Sequence, residues 1–339
     1  MLFDYFETVE SLKDLSDEQA LLQLEKPTVF KVAGENSEKA LLVSTLLHGS
    51  EPCGFRAFLK EINANPSYAC DVYYLVGNIE AAQKQPCFTF RLLPGGENYN
   101  RIWKDNPKTH AEKIADEIKR FFHDKPLAAF LDIHSFTAKT TGPHGFISNN
   151  REETLKLATK IAPILFESEV DSGEMYKCFA KKMPALLVEC GTNNTPEADE
   201  FAYQALQVFL SEYGAKQESH PSICAGIYSD MLNIKITKDT QITWANKSDH
   251  SVNITLRSDV EELNHQVLSA GVCFGWANDL KGFVVKNARG DVNPSEIFEL
   301  HQNQLILRKP VVANLMTANE FIVKESGFYF FDAKNHLTT

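Results

Sequence analysis

Short apolar runs alternate with amphipathic stretches through residues 28–215 of the chain. Four of the apolar runs have the length of a strand and contain few charges: ALLVSTLL (40–47), DVYYLVG (71–77), LAAFLDI (127–133) and PALLVEC (184–190). Runs of this kind are typical of strands that are buried on both faces, as in a parallel or mixed sheet covered by helices.

Helical periodicity fills the intervals between these runs. It predicts helices over 51–63, 108–123, 151–166 and 196–213, the last with Thr195 as the N-cap and Pro196 at the first helical position. Alternation of strands and helices predicts an α/β domain whose mixed, largely parallel sheet carries helices on both faces.

The pattern changes after the segment 214–226. Short β-rich runs follow, broken by Gly, Asn and Asp, and they predict a smaller, mostly β region. We therefore expect an α/β domain over residues 1–221 and a β-rich C-terminal domain over residues 222–339.

Composition narrows the range of partners. The chain has 339 residues, of which 43% are hydrophobic and 23% charged, and its net charge is -11. A protein this acidic lacks the basic face that nucleic acid or an anionic membrane surface requires, although a few arginines can still build a pocket for a small anionic substrate. The sequence leaves open whether the chain forms a homo-oligomer.

Three features predict a cytoplasmic location. The N-terminal residues carry acids and no apolar signal region, and no run of about 18 apolar residues occurs anywhere. The seven cysteines are scattered without CxxC spacing, which predicts reduced thiols rather than a disulfide framework.

Ionisable residues lie where three of the apolar runs stop. His48 follows the run 40–47, His134 follows the run 127–133, and Glu189 lies near the end of the run 184–190. Functional groups in open α/β sheets collect outside the carboxyl ends of the strands, so these residues are candidates for one cleft.

His48, Glu51 and His134 together form a His2Glu set, the arrangement of catalytic zinc sites that keep a position open for water. Glu189 could then act as the general base. Each residue alone has a simpler explanation, because HxxE pairs are common and a histidine such as His134 can be satisfied by a backbone carbonyl. Asp132 is a natural partner for a histidine, but strand alternation points it away from the neighbours of His134, and its role stays open.

The segment 77–103 adds cations in Gly- and Pro-rich surroundings. It contains Arg91 and the pair Asn100-Arg101. Arginine is suited to bidentate binding of a carboxylate and to stabilising an oxyanion, although most loop arginines are simply solvated.

The order of these motifs resembles the succinylglutamate desuccinylase/aspartoacylase family, a branch of the zinc carboxypeptidase-like fold. The matching residues lie within 40–191: His48-Gly-x-Glu51, Gly77-Asn78-x-x-Ala81, Arg91, Asn100-Arg101, Asp132-x-His134 and Glu189-x-Gly191. The change to a β-rich tail near residue 222 also resembles the family.

The resemblance implies a role for each of these residues. His48, Glu51 and His134 would bind one Zn2+ per chain, and Glu189 would be the general base. Arg91 would stabilise the oxyanion. The implied reaction is hydrolysis of a small anionic N-acyl amino acid, similar to N-succinylglutamate, whose carboxylate would be bound by Asn100 and Arg101.

The substrate-binding loop departs from the family pattern. The acidic residue that usually precedes the Asn-Arg pair is replaced by Asn98, and the spacer after Arg91 is slightly longer. These departures put the substrate in question rather than the chemistry. The alternatives are an aspartoacylase-like deacetylase, a metallocarboxypeptidase that trims peptides, and a non-catalytic binding protein on the same fold.

Overall fold

The structure is a computed structural model, and it describes residues 1–140, 142–148, 151–213 and 220–337. The described chain divides into two compact units. The first comprises residues 1–136, 142–165 and 171–225, and the second comprises residues 137–141, 166–170 and 226–339.

The N-terminal part of the chain forms a large sheet with helices between its strands. The strands are β1 (Asp4–Phe6), β2 (Thr28–Val32), β3 (Asn36–Thr45), β4 (Cys70–Val76), β5 (Leu127–Phe136), β6 (His144–Ile147), β7 (Ile164–Glu167) and β8 (Ala185–Thr192). The helices are α1 (Asp17–Leu21), α2 (Cys53–Asn63), α3 (Ile79–Gln83), α4 (His110–Phe122), α5 (Glu152–Ile161), α6 (Met175–Ala180) and α7 (Pro196–Glu212), and a 3-10 turn covers Glu10–Leu12.

These strands lie in the order β1-β2-β4-β3-β5-β8-β6-β7. The central pairs β4–β3, β3–β5 and β5–β8 are parallel, whereas β2 and β6 run antiparallel to β4 and β8. The predicted mixed, largely parallel α/β sheet is therefore confirmed, because the near-continuous apolar runs occupy its centre.

Helices pack on both faces of the central strand β5. On one face Gly54 of α2 lies so close to Ile133 that an added Cβ would stand 2.9 Å from the Ile133 Cβ. On the other face the ring of Phe130 packs against Phe179 of α6, with centroids 5.0 Å apart. Successive side chains of a strand point to opposite faces, so residues 130, 132 and 134 share the face of α6.

The sheet register sets several functional side chains beside one another. Ser44 pairs with Asp132 across β3 and β5. His134 pairs with Glu189 across β5 and β8, and His144 of β6 pairs with the same glutamate. Residues directly paired in a sheet project to the same face, which places polar groups together over the sheet.

Two details of the sequence prediction are wrong. The helix predicted over 151–166 ends at Ile161, because Pro163 disfavours helical backbone at Ala162, which is extended (φ -111°, ψ 130°). The segment 164–167 then forms β7. In addition, β5 continues past the apolar run 127–133, so His134 lies inside a strand rather than after it.

The C-terminal region is mostly β, as predicted. Its strands are β9 (Gly226–Tyr228), β10 (Leu232–Ile236), β11 (Ile242–Ala245), β12 (Ile254–Arg257), β13 (Val267–Leu268), β14 (Cys273–Ala277), β15 (Phe283–Asn287), β16 (Gly290–Val292), β17 (Phe298–His301), β18 (Gln304–Leu307), β19 (Val311–Asn314) and β20 (Phe328–Asp332). The helix α8 covers Glu320–Glu325, and 3-10 turns cover Val260–Leu263 and Pro294–Glu296.

Two sheets of this region enclose an aromatic core. One has the strand order β13-β19-β20-β10-β15-β16 and the other β11-β12-β14-β18-β17. Phe274 and Phe298 stack at 5.7 Å, and both rings contact Phe330. Buried aromatic contacts of this kind supply much of the free energy that holds two sheets together.

All seven cysteines are free thiols, as their scattered spacing predicts. Within the part of the chain that the structure describes, no helix has the length and apolar character needed to cross a membrane.

Candidate metal centre and active site

A tight turn between β3 and α2 presents His48 and Glu51. Leu46 adopts a left-handed conformation (φ 53°), and Gly49 approaches the backbone of another segment so closely that a Cβ would lie 2.5 Å from the amide nitrogen of Ala82. The Gly49 amide donates a hydrogen bond of 3.1 Å to the carbonyl of Arg91. Glycine is therefore required here for space, and the contact anchors Arg91 beside the turn.

His48, Glu51 and His134 form a buried cluster. One ligand atom from each residue lies within 4.8 Å of those of the other two, and among the described residues this is the one such group of three or more. The Nδ1 atom of His48 is 2.9 Å from Oε1 of Glu51, and Nδ1 of His134 is 2.7 Å from Oε2. The structure thus brings the three predicted metal ligands together.

The outer nitrogen of each histidine contacts an oxygen atom. Nε2 of His48 lies 3.0 Å from Oδ1 of Asn98, and Nε2 of His134 lies 3.1 Å from Oδ1 of Asp132. These acceptors assign the Nε2 proton, since an imidazole N–H facing an oxygen donates to it. Both Nδ1 atoms are consequently directed at Glu51, and they are the nitrogens that a metal ion would use.

Asp132 occupies the same face of β5 as His134, because the two residues are separated by two positions. The sequence alone left the role of Asp132 open, and the structure shows that its carboxylate faces Nε2 of His134. The Ser44 hydroxyl donates a hydrogen bond of 2.5 Å to the same Asp132 oxygen, through the strand register. Such hydrogen-bonded carboxylates orient the histidines of metal sites.

Burial and charge shift the pKa values of both histidines. Burial, with the positive charge of Arg91, lowers the pKa of His48 to about 4, so its imidazole is neutral. Burial also disfavours charged His134, but the Asp132 and Glu51 carboxylates outweigh it and raise the pKa of His134 well above its usual value. Without a metal, His134 carries the positive charge that compensates the carboxylates.

Glu189 lies beside the cluster and is partly buried. Its Oε2 is enclosed and has no hydrogen-bond partner among the described residues. Burial, followed by the charge of Glu51, raises the pKa of Glu189 to about 7. A carboxylate that is unpartnered, enclosed and adjacent to a metal-ligand set has the properties of a general base.

Arg91 contacts the cluster directly. Its Nη1 donates a hydrogen bond of 2.5 Å to Oε1 of Glu51, the same oxygen that faces His48. The guanidinium therefore lies at the predicted metal-ligand set and supplies positive charge there.

Asn100 is fixed with its amide nitrogen toward His134. Its Oδ1 accepts a hydrogen bond of 3.0 Å from the backbone amide of Met175, and its Nδ2 lies 3.4 Å from Nε2 of His134. Arg101 follows in the chain, and its Nη1 donates a hydrogen bond of 2.6 Å to the Asn100 carbonyl. Asn100 thus stands next to the predicted metal-ligand set, and the Arg101 side chain is held against the Asn100 backbone.

Sequence reasoning did not assign Asn98 or Ser44 to the site. Asn98 was recognised only as a departure from the family pattern, yet it contacts His48 and its Oδ1 also accepts a hydrogen bond of 2.9 Å from the Asn100 amide. The Asn-x-Asn spacing was the available signal, because Asn side chains commonly accept from the amide two residues on. Ser44 gave no signal, since only strand register brings it to Asp132.

No family model matches this chain, and no curated protein sequence matches it. Solved structures do. The succinylglutamate desuccinylase from Vibrio cholerae superposes with a TM-score of 0.58 at 18% identity, over 95% of this chain and 100% of that one. The succinylglutamate desuccinylase/aspartoacylase from Rhodobacter sphaeroides superposes with a TM-score of 0.57 at 13% identity, over 91% and 89% of the two chains.

The chain has the succinylglutamate desuccinylase/aspartoacylase fold. The product-bound structure of the ectoine utilization protein EutE (DoeB) from Ruegeria pomeroyi is also similar, with a TM-score of 0.53 at 15% identity over 85% of this chain and 82% of that one. The desuccinylase/aspartoacylase fold therefore extends over both the α/β and the β-rich parts of the sequence. The resemblance inferred from the motifs is confirmed at the level of the fold.

Proposed function

We propose that this chain is a zinc-dependent amidohydrolase of the succinylglutamate desuccinylase/aspartoacylase family. Its substrate would be a small anionic N-acyl amino acid, similar to N-succinylglutamate. The observation that carries the proposal is the buried His48–Glu51–His134 cluster with the unpartnered Glu189 carboxylate beside it. The shared fold supports the assignment.

The donor set fits zinc. Two imidazole nitrogens and one carboxylate oxygen converge in a buried place, and catalytic zinc sites use three such protein ligands with a fourth position left open. Nδ1 of His48, Nδ1 of His134 and a Glu51 oxygen would hold the ion. When bound, zinc supplies Lewis acidity toward a carbonyl oxygen and lowers the pKa of water.

Glu189 moves the proton in the proposed reaction. Its carboxylate accepts a proton from the attacking water and delivers it to the nitrogen of the leaving amine, so that the acid and the free amino acid separate. In the metal-free protein burial raises the pKa of this group to about 7, and a base is most effective when its pKa lies near the working pH.

Arginine side chains bind and orient the substrate. Arg91 stands at the metal-ligand set, where its guanidinium stabilises the charge that develops on the scissile carbonyl oxygen. Asn100 and Arg101 bind a substrate carboxylate, with the Asn100 amide nitrogen donating, since its oxygen is already engaged by Met175. Local arginines thus attract an anionic substrate to a protein whose overall charge is negative. We place the protein in the cytoplasm and propose that it has no nucleic acid or membrane partner.

Hydrolysis by the zinc-loaded chain tests the proposal. N-succinylglutamate, N-acetylaspartate and a tripeptide are each incubated with the protein, and the released amine is measured. We expect an N-acyl amino acid to be cleaved faster than the tripeptide. Faster cleavage of the tripeptide would transfer the assignment to a peptide-trimming carboxypeptidase, and no release from any compound would overturn the enzymatic proposal.

A further inference from the structure

The turn formed by residues 171–174, which leads into α6, is fastened with the start of that helix to the Asn100-Arg101 segment. The Met175 amide donates to the Asn100 side chain at 3.0 Å, and the Trp103 amide donates to the Gly173 carbonyl at 3.1 Å. At Gly173 (φ 89°) an added Cβ would lie 2.5 Å from the carbonyl oxygen of Arg101. The turn therefore supports the backbone that carries the proposed carboxylate-binding residues.

Glu174 adds an electrostatic contact between this turn and Arg101. Oε1 of Glu174 lies 3.8 Å from Nη1 of Arg101, and Oε2 lies 3.6 Å from the ammonium of Lys177. The side chains of Glu174 and Lys177 are 8% and 5% exposed, so this glutamate bridges two cations away from bulk water. Asp171, which also acts electrostatically on Lys177, is exposed and lies 3.9 Å from the exposed Lys181, whose charge offsets its own.

The charges of this cluster do not cancel. Arg101 and Lys177 contribute two positive charges and Glu174 contributes one negative charge, which leaves one positive charge at the cluster. With Glu174 alone, Arg101 would form a neutral pair that attracts an anion weakly. Lys177 restores the positive charge, and burial makes it effective, because charges interact more strongly where water is excluded.

We propose that Glu174 and Lys177 are positioning residues for Arg101. Glu174 holds the guanidinium in place, and Lys177 balances Glu174 so that the cluster keeps the positive charge that selects ligands with a free carboxylate over neutral ones. The identity of the ligand rests on the proposed function. The proposed contribution of Lys177 is independent of that function, because it concerns the binding of a carboxylate rather than its turnover.

Calorimetric binding, with every variant made in the Glu189→Gln background so that the ligand is not hydrolysed, tests this role. The ligands are N-succinyl-L-glutamate and its derivative in which both glutamate carboxylates are carboxamides, and the readout is the ratio of the two affinities. We expect the wild-type protein to prefer the acid, and both Lys177→Met and Lys177→Gln to lower the ratio about tenfold. Lys177→Arg should keep the ratio, as should the exposed control Lys181→Met. Glu174→Gln should not lower it, because the amide oxygen still faces the Arg101 guanidinium while the negative charge is removed.

A purely structural role for Lys177 would weaken binding of both ligands equally and leave the ratio unchanged, and that result would overturn the inference. A wild-type protein that binds the diamide as tightly as the acid would also overturn it. If the ratio responds as expected while no N-acyl amino acid is hydrolysed, the inference stands and the proposed function fails. If hydrolysis occurs, Lys177→Met should raise KM and leave kcat nearly unchanged.

Discussion

The Nε2 atom of His48 lies 3.0 Å from Oδ1 of Asn98, and both side chains are buried. The acceptor is a neutral amide at a position where the resemblance leads one to expect a carboxylate. A neutral acceptor polarises the imidazole less than a carboxylate does, so His48 is a weaker donor to a metal than it would be beside an aspartate.

Substituting Asn98 is expected to change metal affinity in both directions. Asn98→Asp keeps the acceptor and adds negative charge, so zinc should bind about tenfold more tightly, and Asn98→Leu should weaken binding by about 10- to 100-fold. Competition with a chromogenic chelator measures both values. Equal affinities in the wild type and both variants would show that Asn98 does not act on the His48 ligand.

Replacing Glu189 separates metal binding from proton transfer. Glu189→Gln keeps the shape of the side chain but cannot accept a proton, so zinc content should be retained while kcat falls by about 10²- to 10⁴-fold. The exposed Glu197→Gln variant, on the first turn of α7, is the matched control and should keep full activity. Turnover of Glu189→Gln near the wild-type rate would remove Glu189 from the role of base.

The pKa of Glu189 predicts how the stability of the metal-free protein depends on pH. Its folded-state pKa of about 7 lies above the ordinary value of 4.5, so the folded state binds more protons than the unfolded state between these values. The free energy of unfolding should therefore decrease as pH rises through this window, by at most about 1.4 kcal/mol per pH unit from this group.

Denaturant unfolding of the metal-free wild type and of Glu189→Gln, at several pH values from 4 to 8, isolates this contribution. His134, whose pKa is also raised, is present in both proteins and interacts with Glu189, so the difference reports Glu189 together with that interaction. A pH-independent difference between the two proteins would contradict the assigned direction.

The space at Gly49 predicts a packing defect. In Gly49→Ala the new methyl group would meet the Ala82 backbone at 2.5 Å, and the segment that carries Arg91 would have to move. We expect a loss of about 1–3 kcal/mol in the free energy of unfolding, together with a lower kcat. Thermal unfolding and steady-state kinetics check the two effects, and unchanged values would show that the turn is more adaptable than its contacts suggest.

Much of the fold and of the site follows from local sequence. The near-continuous apolar runs predict the central strands, because a strand buried on both faces cannot alternate in polarity. His48 and Glu51 stand on the turn after β3, as the pattern indicates. The helix end at Ala162 is not visible in the apolar pattern, because the helical spacing of apolar residues continues past Pro163. The helix nevertheless ends there, because the residue before a proline disfavours helical backbone.

The remaining features depend on register, which a single sequence does not encode in any short pattern. The Ser44–Asp132 hydrogen bond and the pairing of His134 with Glu189 arise because β3, β5 and β8 align at particular residues. Likewise, Glu174 reaches Arg101, and Lys177 is linked to it through Glu174, only because the turn before α6 docks on the 100–103 segment. Their sequence separation of more than 70 positions hides this relation.

The most direct test of the central claim is a zinc titration of hydrolysis. The metal-free protein is titrated with zinc, and the rate of amine release from N-succinylglutamate, or from the best substrate of the panel, is recorded at each step. We predict a rate that is near zero without metal, rises in proportion to added zinc and levels off at one equivalent per chain. A rate that does not respond to zinc would contradict it.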